Sequence, residues 1–358
     1  MRKKLLACVA LLIACAPVCQ GQNLRISVLS RFRPTELELR PSRSEALVVE
    51  AGGERFILAP DSHQATAQIK IAENGLLVAI SGRLVRTKML RATGRTGTAD
   101  FRLLVPGKVS RRYFGRLAIA AKDGKIQTIV TMDLETAVAS VVEAETEAGT
   151  PLEALKTQAV VTRSYFVAAK NRHQGFDFCD LAHCQVLRSP PNSGSPAARA
   201  TVETRGLVLV YKNRPFAAMF TRSCGGRTRT PSQDGLPSNV YPYFAVRCGY
   251  CWEKTFRWRR KLSPSDFALL AKGENGRLAL CRRLGWNAVP SDDFTAQQEG
   301  AQIVLEGKGQ GHGIGLCQRG AEAMAADGEN FIATIARYFP NTKIVHLESS
   351  SDQLATMH

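Results

Sequence analysis

Two patterns of apolar positions divide the chain. From Leu24 to about Thr131, short apolar runs such as LRISVLS, EALVVEA and FRLLVP are separated by Gly, Pro, Asp and Asn, which is typical of strands joined by turns. The last of them, RRYFGRLAIAAKDGKIQTIVTM, predicts a β-hairpin because Asp123-Gly124 is a tight-turn pair. Helical periodicity begins only after this hairpin. The sequence therefore predicts an α+β protein whose N-terminal region is rich in strands.

The first helical segment, LETAVASVVEAE, carries an acid on its apolar face. Four residues recur at steps of four, three and four: Leu134, Val138, Val141 and Glu145. Such steps place them on one face of a helix, whereas Glu143 and Glu147 fall roughly 200° away and face water. A carboxyl on an apolar face loses hydration, which raises its pKa toward the range of a general acid. The alternative is that Glu145 is a solvated residue of the last turn.

A second helix follows at once. Thr150, Pro151 and Glu153 provide an N-cap, a proline at the first helical position and a capping-box acid. Further on, TRGLVLVYKNRPFAAMF predicts another hairpin, around Lys212-Asn213. The centre of the chain is thus helices followed by sheet.

The N-terminus resembles an export signal. Arg2, Lys3 and Lys4 precede the apolar run LLACVALLIACAPV, which is short for a membrane span. We interpret residues 1–21 as a signal peptide, although Leu12–Cys15 also fits a lipobox that would leave a lipid anchor at Cys15. Either route exports the chain to the cell envelope, the periplasm or cell-wall space.

Composition and charge narrow the class of partner. The 358 residues are 44% hydrophobic with a net charge of +17, which excludes a disordered chain and favours anionic partners. No zinc finger, basic heptad array or RNA-binding sheet motif accompanies the charge. Wall polymers and anionic lipid surfaces are therefore favoured over nucleic acid.

The segment HQGFDFCDLAHC groups four possible metal ligands: His173, Cys179, His183 and Cys184. Two thiolates and two imidazoles suit a tetrahedral zinc site. The alternative is a Cys179–Cys184 disulfide in an oxidising compartment. We expect one structural zinc ion and no organic cofactor.

The chain after residue 21 has seven cysteines, so at least one thiol is free. The four between Cys224 and Cys281 could form two bridges whose pairing the sequence does not specify. Ser223 opens the SCGG loop, which could present backbone N–H groups to a sugar or form a tight turn beside a disulfide.

Glycines alternate from Gly309 to Gly315. Their spacing fits neither GxGxxG nor a P-loop, so phosphate binding is not indicated. Alternation instead removes side chains from one face, which allows a ligand or another strand to approach closely. His312 and Gln318 are the polar groups left beside that opening.

Four ordered blocks resemble one family. VVEAETEAGTPLEALKTQAVVTRSYF is similar to the core of the stage II sporulation protein D family (SpoIID/LytB domain), in which an acid seven residues before LEALKAQAV is followed by Arg and Tyr. Residues 307–328, GKGQGHGIGLCQRGAEAMAADG, resemble the family's GHGxGxxQxGA motif, and CDLAHCQV and SCGG lie between the two in the family's order. The similarity covers about residues 113–339. Two positions depart from the family: Thr146-Glu147 replaces a Met-Pro, and Thr221 replaces a His.

The resemblance implies a role for each matching residue. Glu145 would be the catalytic acid of a lytic transglycosylase that cleaves peptidoglycan between N-acetylmuramic acid and N-acetylglucosamine and leaves 1,6-anhydro ends. The implied substrate-binding residues are Arg163, Tyr165, Ser223, Gly311, His312, Gly313 and Gln318. The competing interpretation is a wall-binding protein that recruits or stimulates an N-acetylmuramoyl-L-alanine amidase without cleaving glycan.

The predicted organisation has four parts: a signal peptide at 1–21, a β-rich region at 22–112, a SpoIID/LytB-like core at 113–347 and a flexible tail at 348–358. The two helices around Glu145 and the glycine block, residues 307–328, are expected to form opposite walls of an open cleft in the core.

Overall fold

The computed structural model describes residues 22–42, 45–60, 65–182, 184–234, 241–285 and 287–347. The predicted signal peptide, the alternative lipobox, the predicted tail and His183 lie outside these residues. No helix in the described ranges is long and apolar enough to cross a membrane.

The N-terminal part of the described chain consists of strands. They are β1 (Asn23–Val28), β2 (Glu36–Pro41), β3 (Leu47–Ala51), β4 (Glu54–Leu58), β5 (Ala67–Ala72), β6 (Gly75–Ile80), β7 (Arg83–Thr87), β8 (Met89–Thr93), β9 (Ala99–Val105), β10 (Val109–Lys122) and β11 (Lys125–Asp133). The long strand β10 pairs antiparallel with β9, β8 and β11, which curls the sheet. The predicted hairpin is confirmed: Asp123 and Gly124 form its turn with φ of +50° and +68°.

Helices dominate the middle of the chain. The elements are α1 (Leu134–Glu145), α2 (Leu152–Ala168), β12 (Phe178–Cys179), α3 (Pro196–Glu203), β13 (Leu207–Tyr211), β14 (Arg214–Pro215) and β15 (Phe220–Thr221). Asp133 caps α1 by accepting a hydrogen bond from the Thr136 N–H at 2.9 Å. The hairpin around Lys212-Asn213 forms between β13 and β14, with both residues at positive φ.

The expected capping box of α2 is not formed. Pro151 occupies the N-cap position, and the Thr150 hydroxyl donates to the Glu147 carbonyl at 2.8 Å instead of capping the helix. The Glu153 carboxylate accepts from the Phe331 N–H at 2.9 Å. The Glu153 carboxylate therefore forms a tertiary hydrogen bond instead of the local one that a capping box requires.

The C-terminal part is mixed. A 3-10 turn (Pro231–Asp234) is followed by α4 (Gly249–Glu253), β16 (Arg257–Leu262), α5 (Pro264–Leu270), α6 (Gly273–Leu284), β17 (Phe294–Glu299), β18 (Gln302–Lys308), β19 (Leu316–Cys317), α7 (Gln318–Ala326), α8 (Phe331–Tyr338) and β20 (Lys343–His346). Strands β16, β18 and β17 form a small antiparallel sheet, and β19 pairs in parallel with β15.

Helix α2 is the centre of the core. It is buried on nearly every side from Ala154 to Phe166, as expected of a helix packed on all faces. It contacts α1, α3, α7, α8 and β13. The α+β class is confirmed, with an extensive curled sheet beside a helical layer.

The predicted division at residue 112 falls inside β10, and β1 pairs with β11 and β12 beyond it. The β-rich region and the helical core thus share one sheet.

Candidate active site

Glu145 is the last residue of α1 and continues its buried stripe. Leu134, Val138 and Val141 are at most 5% exposed, and Glu145 itself is half-buried. Glu143 and Glu147 are exposed. The expected orientation of the helix is confirmed, and only one of the three acids is removed from water.

A small pocket opens at Glu145. Its volume is about 20 Å³, which is room for about one water molecule. The lining comes from the end of α1, the start of α2 and the β19–α7 junction, and includes Glu145, Thr146, Gln158, Leu316, Gln318 and Glu322. The wall opposite Glu145 comes from the second part of residues 307–328, through Leu316, Gln318 and Glu322, whereas the alternating glycines from 309 to 315 do not line the pocket.

Burial raises the pKa of Glu145 above its ordinary value. A hydrogen bond from the Gln318 side chain and the positive charges of Arg188 and Arg222 act in the opposite direction without cancelling the effect of burial. The C-terminal position on α1 also disfavours the anion. The carboxyl can therefore keep its proton at a higher pH than an exposed glutamate.

Gln318 connects Glu145 to the core of α2. Its Nε2 donates to Gln158 Oε1 at 3.2 Å, and Gln158 Nε2 donates to Thr162 Oγ1 at 3.1 Å. Gln318 Oε1 is buried and has no hydrogen-bond partner among the described residues. An O–H group from protonated Glu145 or from a ligand hydroxyl would satisfy this acceptor.

Sequence reasoning missed Gln158 and Arg222. A glutamine within the apolar helix α2 was the available signal for Gln158, since a buried amide needs a polar partner. Arg222 pairs with Glu147 and Glu322, at 2.7 Å in each case. No local pattern indicated Arg222, because both of its partners are distant in sequence.

Arg163 and Tyr165 do not reach this pocket. The Arg163 side chain is fully buried and pairs with Glu135 through its Nε and Nη2 at 2.8 and 2.7 Å. It also donates to the Leu207 carbonyl at 3.1 Å. Tyr165 is 4% exposed and packs against the ring of Phe178. Arg163 thus joins α2 to α1, and Tyr165 packs α2 against β12.

The alternating glycines of the glycine block lie against the chain segment 219–229. Gly309, Gly311, Gly313 and Gly315 all have positive φ. A Cβ on Gly315 would stand 2.1 Å from the Met219 carbonyl oxygen, and one on Gly311 would stand 2.6 Å from the Thr221 hydroxyl. The sequence left open whether a ligand or another strand approaches these glycines. The structure shows another segment of the chain in contact with them.

Thr221, which replaces the family's histidine, serves this packing. Its hydroxyl donates to the Gln310 carbonyl at 2.9 Å and accepts from the Gly313 N–H at 3.1 Å. Ser223 is buried, and its backbone exchanges hydrogen bonds with Gln310.

The polar groups around His312 differ from those around Glu145. Its Nδ1 accepts from the Ile314 N–H at 3.0 Å. Desolvation lowers its pKa to about 4, against an opposing influence of Asp292. His312 is therefore neutral near pH 7.

Three of the four predicted metal ligands come together. His173 Nε2 and Cys184 Sγ are 3.3 Å apart, and the donor atoms of His173, Cys179 and Cys184 all lie within 4.8 Å of one another. His183 is outside the described residues. The sequence had placed this group correctly because its members are close along the chain.

The other cysteines group differently from the expectation. Cys224, Cys248 and Cys251 converge with Cys317, not with Cys281. Two bridges within the 224–281 set are therefore not the arrangement that the structure shows. Cys281 lies in α6, where its thiol is buried.

Comparisons with known proteins find relatives of the part of the chain that carries Glu145. A family model described as SpoIID, stage II sporulation protein, matches residues 122–211, which include Glu145 and α2. An uncharacterized protein of Brachyspira hyodysenteriae is 26% identical over 267 residues, covering 65% of this chain and 72% of that protein. Stage II sporulation protein D of Bacillus subtilis is 27% identical over 263 residues, covering 61% of this chain and 76% of that protein.

A shorter similarity links the chain to the amidase enhancer of Bacillus subtilis, with 33% identity over 61 residues, covering 17% of this chain and 9% of that protein. Together the matches fit a cell-wall-related role. The family model and the long similarities to stage II sporulation protein D agree on one assignment: this chain belongs to the stage II sporulation protein D family.

Proposed function

We propose that the protein is an exported lytic transglycosylase that cleaves peptidoglycan glycan strands with Glu145 as its single titrating catalytic residue. The observation that carries the proposal is the half-buried carboxyl of Glu145 at a pocket that Gln318 also lines. Burial raises the pKa of this carboxyl. The pocket has room for one small polar group. The sugar rings would lie outside it, and the glycosidic oxygen would reach in.

One carboxyl can serve both steps of this reaction. Protonated Glu145 donates its proton to the glycosidic oxygen as the bond from that oxygen to C1 of N-acetylmuramic acid breaks. The resulting carboxylate then accepts the proton of the 6-hydroxyl while O6 bonds to C1, which closes the 1,6-anhydro ring. The proton balance is restored at Glu145. An ordinary glycosidase needs a second carboxylate because it must also activate water or form a covalent intermediate.

Gln318 is proposed to orient both the carboxyl and the substrate. Its amide N–H stabilises the carboxylate formed after proton donation, and its unpartnered Oε1 can accept from a sugar hydroxyl. The other implied binding residues, Arg163, Tyr165, Ser223, Gly311, His312 and Gly313, are proposed to act through the fold that positions Gln318 and α2.

The test is mass spectrometry of isolated glycan strands incubated with purified protein. Wild type should produce anhydro-ended fragments, and Glu145→Gln should lower their formation by a factor on the order of 10² or more. Glu143→Gln is the matched control, because Glu143 lies on the same helix but faces water. Full cleavage by Glu145→Gln, with the control unchanged, would overturn the proposal.

The amidase-enhancer similarity favours a second candidate, a protein that stimulates a cell-wall amidase. The same preparations distinguish the two. A protein that releases no anhydro ends, yet accelerates a purified amidase on peptidoglycan equally with and without Glu145→Gln, would be an enhancer.

We also propose one structural zinc ion at His173, Cys179 and Cys184, with His183 as the fourth ligand. Two thiolates and two imidazoles match the preference of zinc, and three of the donors already lie together. Export, with or without the lipid anchor at Cys15, completes the proposal, since the substrate lies outside the cytoplasm.

A further inference from the structure

A second sulfur cluster lies away from the His173 group, in the C-terminal half of the fold. Cys224 follows β15, and Cys317 is the last residue of β19. Cys248 is the N-cap residue of α4, and Cys251 lies within that helix. All four are at most 2% exposed. Their sulfur atoms all lie within 4.8 Å of one another. We propose that these four thiolates bind a single structural zinc ion.

The distances fit one tetrahedral ion better than disulfides. With a Zn–S bond of about 2.3 Å, neighbouring sulfurs of a tetrahedron are about 3.8 Å apart. Cys251 Sγ and Cys317 Sγ are 3.5 Å apart. A disulfide needs about 2.05 Å and joins sulfurs only in pairs. An iron–sulfur cubane places several atoms between its thiolates and needs a wider arrangement than this one.

The local sequence also suits zinc. Cys248-x-x-Cys251 has the two-residue spacing that is common in zinc sites. Gly225 and Gly226, which follow Cys224, have φ of +70° and +115°. These glycines allow the tight turn that brings the Cys224 sulfur toward Cys317.

Hydrogen-bond donors surround the sulfurs. The Cys224 N–H donates to Cys317 Sγ at 3.4 Å, and the Tyr338 hydroxyl donates to Cys248 Sγ at 3.2 Å. Ser223 Oγ lies 3.4 Å from Cys251 Sγ. Such donors disperse the charge of metal-bound thiolates and orient them. Four neutral thiols packed as small apolar groups would not require them.

Gly320 keeps this surrounding shell intact. A Cβ at this position of α7 would meet the Tyr338 hydroxyl at 1.8 Å and Cys248 Sγ at 2.7 Å. Because α7 begins directly after Cys317, the ion would join β15, α4 and α7. Arg222 and Gln318, the neighbours of Glu145, are adjacent or nearly adjacent to ligands, so the ion would position the wall opposite Glu145.

Elemental analysis of the full purified chain and its variants tests the proposal. Cys179→Ser/Cys184→Ser removes ligands of the other group and should leave one zinc per chain. Adding Cys248→Ser/Cys251→Ser should remove that zinc. Cys281→Ser is the matched control, because Cys281 is also buried but lies outside the cluster, and it should keep the metal content of its parent.

A measurement on the unmodified sequence protects the test against variants that fail to fold. After unfolding with a chelator and no reductant, all four thiols should react with iodoacetamide. Cobalt substituted for the ion should give the intense charge-transfer absorption of a four-thiolate site. Three results would overturn the proposal. The first is disulfide-linked peptides among the four cysteines, and the second is one equivalent of iron in place of zinc. The third is a zinc content that stays unchanged when Cys248→Ser/Cys251→Ser is added to the Cys179→Ser/Cys184→Ser parent.

Discussion

The carboxyl groups at the two ends of α1 have opposite surroundings. Glu135, in the first turn, is 18% exposed and forms two hydrogen bonds with the buried guanidinium of Arg163. Glu145, in the last turn, has the neutral amide of Gln318 as its hydrogen-bonding neighbour, and burial raises its pKa. The helix dipole adds to the contrast, because it favours an anion at the N-terminus and disfavours one at the C-terminus.

The comparison shows what separates a structural acid from a candidate catalytic one. Both lie on the same helix beside α2 and both are partly buried, so partial burial alone does not distinguish them. The partner does. A paired buried cation holds one carboxylate in place, whereas an amide leaves the other able to gain and lose a proton.

The largest expected effect comes from breaking the structural end. Arg163→Met removes the cation and leaves Glu135 facing the interior without its partner, which should lower the free energy of unfolding by about 3–5 kcal/mol. Chemical denaturation followed by circular dichroism measures the loss. Arg319→Met, which removes a half-exposed arginine from surface pairs, should cost about 1 kcal/mol or less.

Arg163→Met/Glu135→Gln sharpens this test, since it also removes the stranded charge and should recover part of the loss. A loss below about 1 kcal/mol for Arg163→Met alone would contradict the structural role of the pair.

The pH–rate profile of glycan cleavage tests the other end. Glu145 must be protonated to donate, so the rate should fall as the pH rises through its raised pKa. Arg222→Met removes a cation that lowers this pKa, and the alkaline limb should move to higher pH. Gln318→Leu should move it in the same direction, because the hydrogen bond from Gln318 also lowers this pKa.

Arg319→Met is the matched control for the profile. Arg319 shares the acids Glu147 and Glu322 with Arg222 but is not among the groups that change the pKa of Glu145. Equal displacement of the alkaline limb in both arginine variants would mean that the effect is a general one of surface charge.

The smallest expected effect is on the stability of Glu145→Gln. Because the folded-state pKa of Glu145 is raised, the folded state binds more protons than the unfolded state between the ordinary and the raised value. Wild type should therefore lose stability as the pH rises through that window, by about 1.4 kcal/mol for each pH unit that separates the unfolded-state pKa from the folded-state pKa. The glutamine variant should lack this loss and be the more stable protein at high pH, with little difference at low pH.

Unfolding by urea at a series of pH values measures this difference. Glu143→Gln should follow wild type throughout, since Glu143 is exposed. A Glu145→Gln variant that is less stable than wild type at high pH would mean that the carboxylate is well solvated or paired, and the contrast between the two ends of α1 would fail.

Short-range features were predictable because their causes lie within a few residues. The turn residues Asp123-Gly124 and Lys212-Asn213 form the two predicted hairpins, and the apolar stripe of α1 carries Glu145 on its buried side. His173, Cys179 and Cys184 also lie together, since they are neighbours in sequence. Where a distant partner competes, as Phe331 does for Glu153, even a strong local motif failed.

The sequence by itself thus determined many of the elements, the family and the acid that continues the buried stripe of α1. Only the tertiary structure decided which groups face that acid: Gln318 and Arg222 approach it, whereas Arg163 pairs with Glu135. It also decided that Cys317, and not Cys281, completes the sulfur cluster. The physical reason is that periodicity and turn chemistry act over a few residues. The partner of a buried polar group depends instead on how α2, α7 and the segment 219–229 pack together, and no pattern along the chain encodes that packing directly.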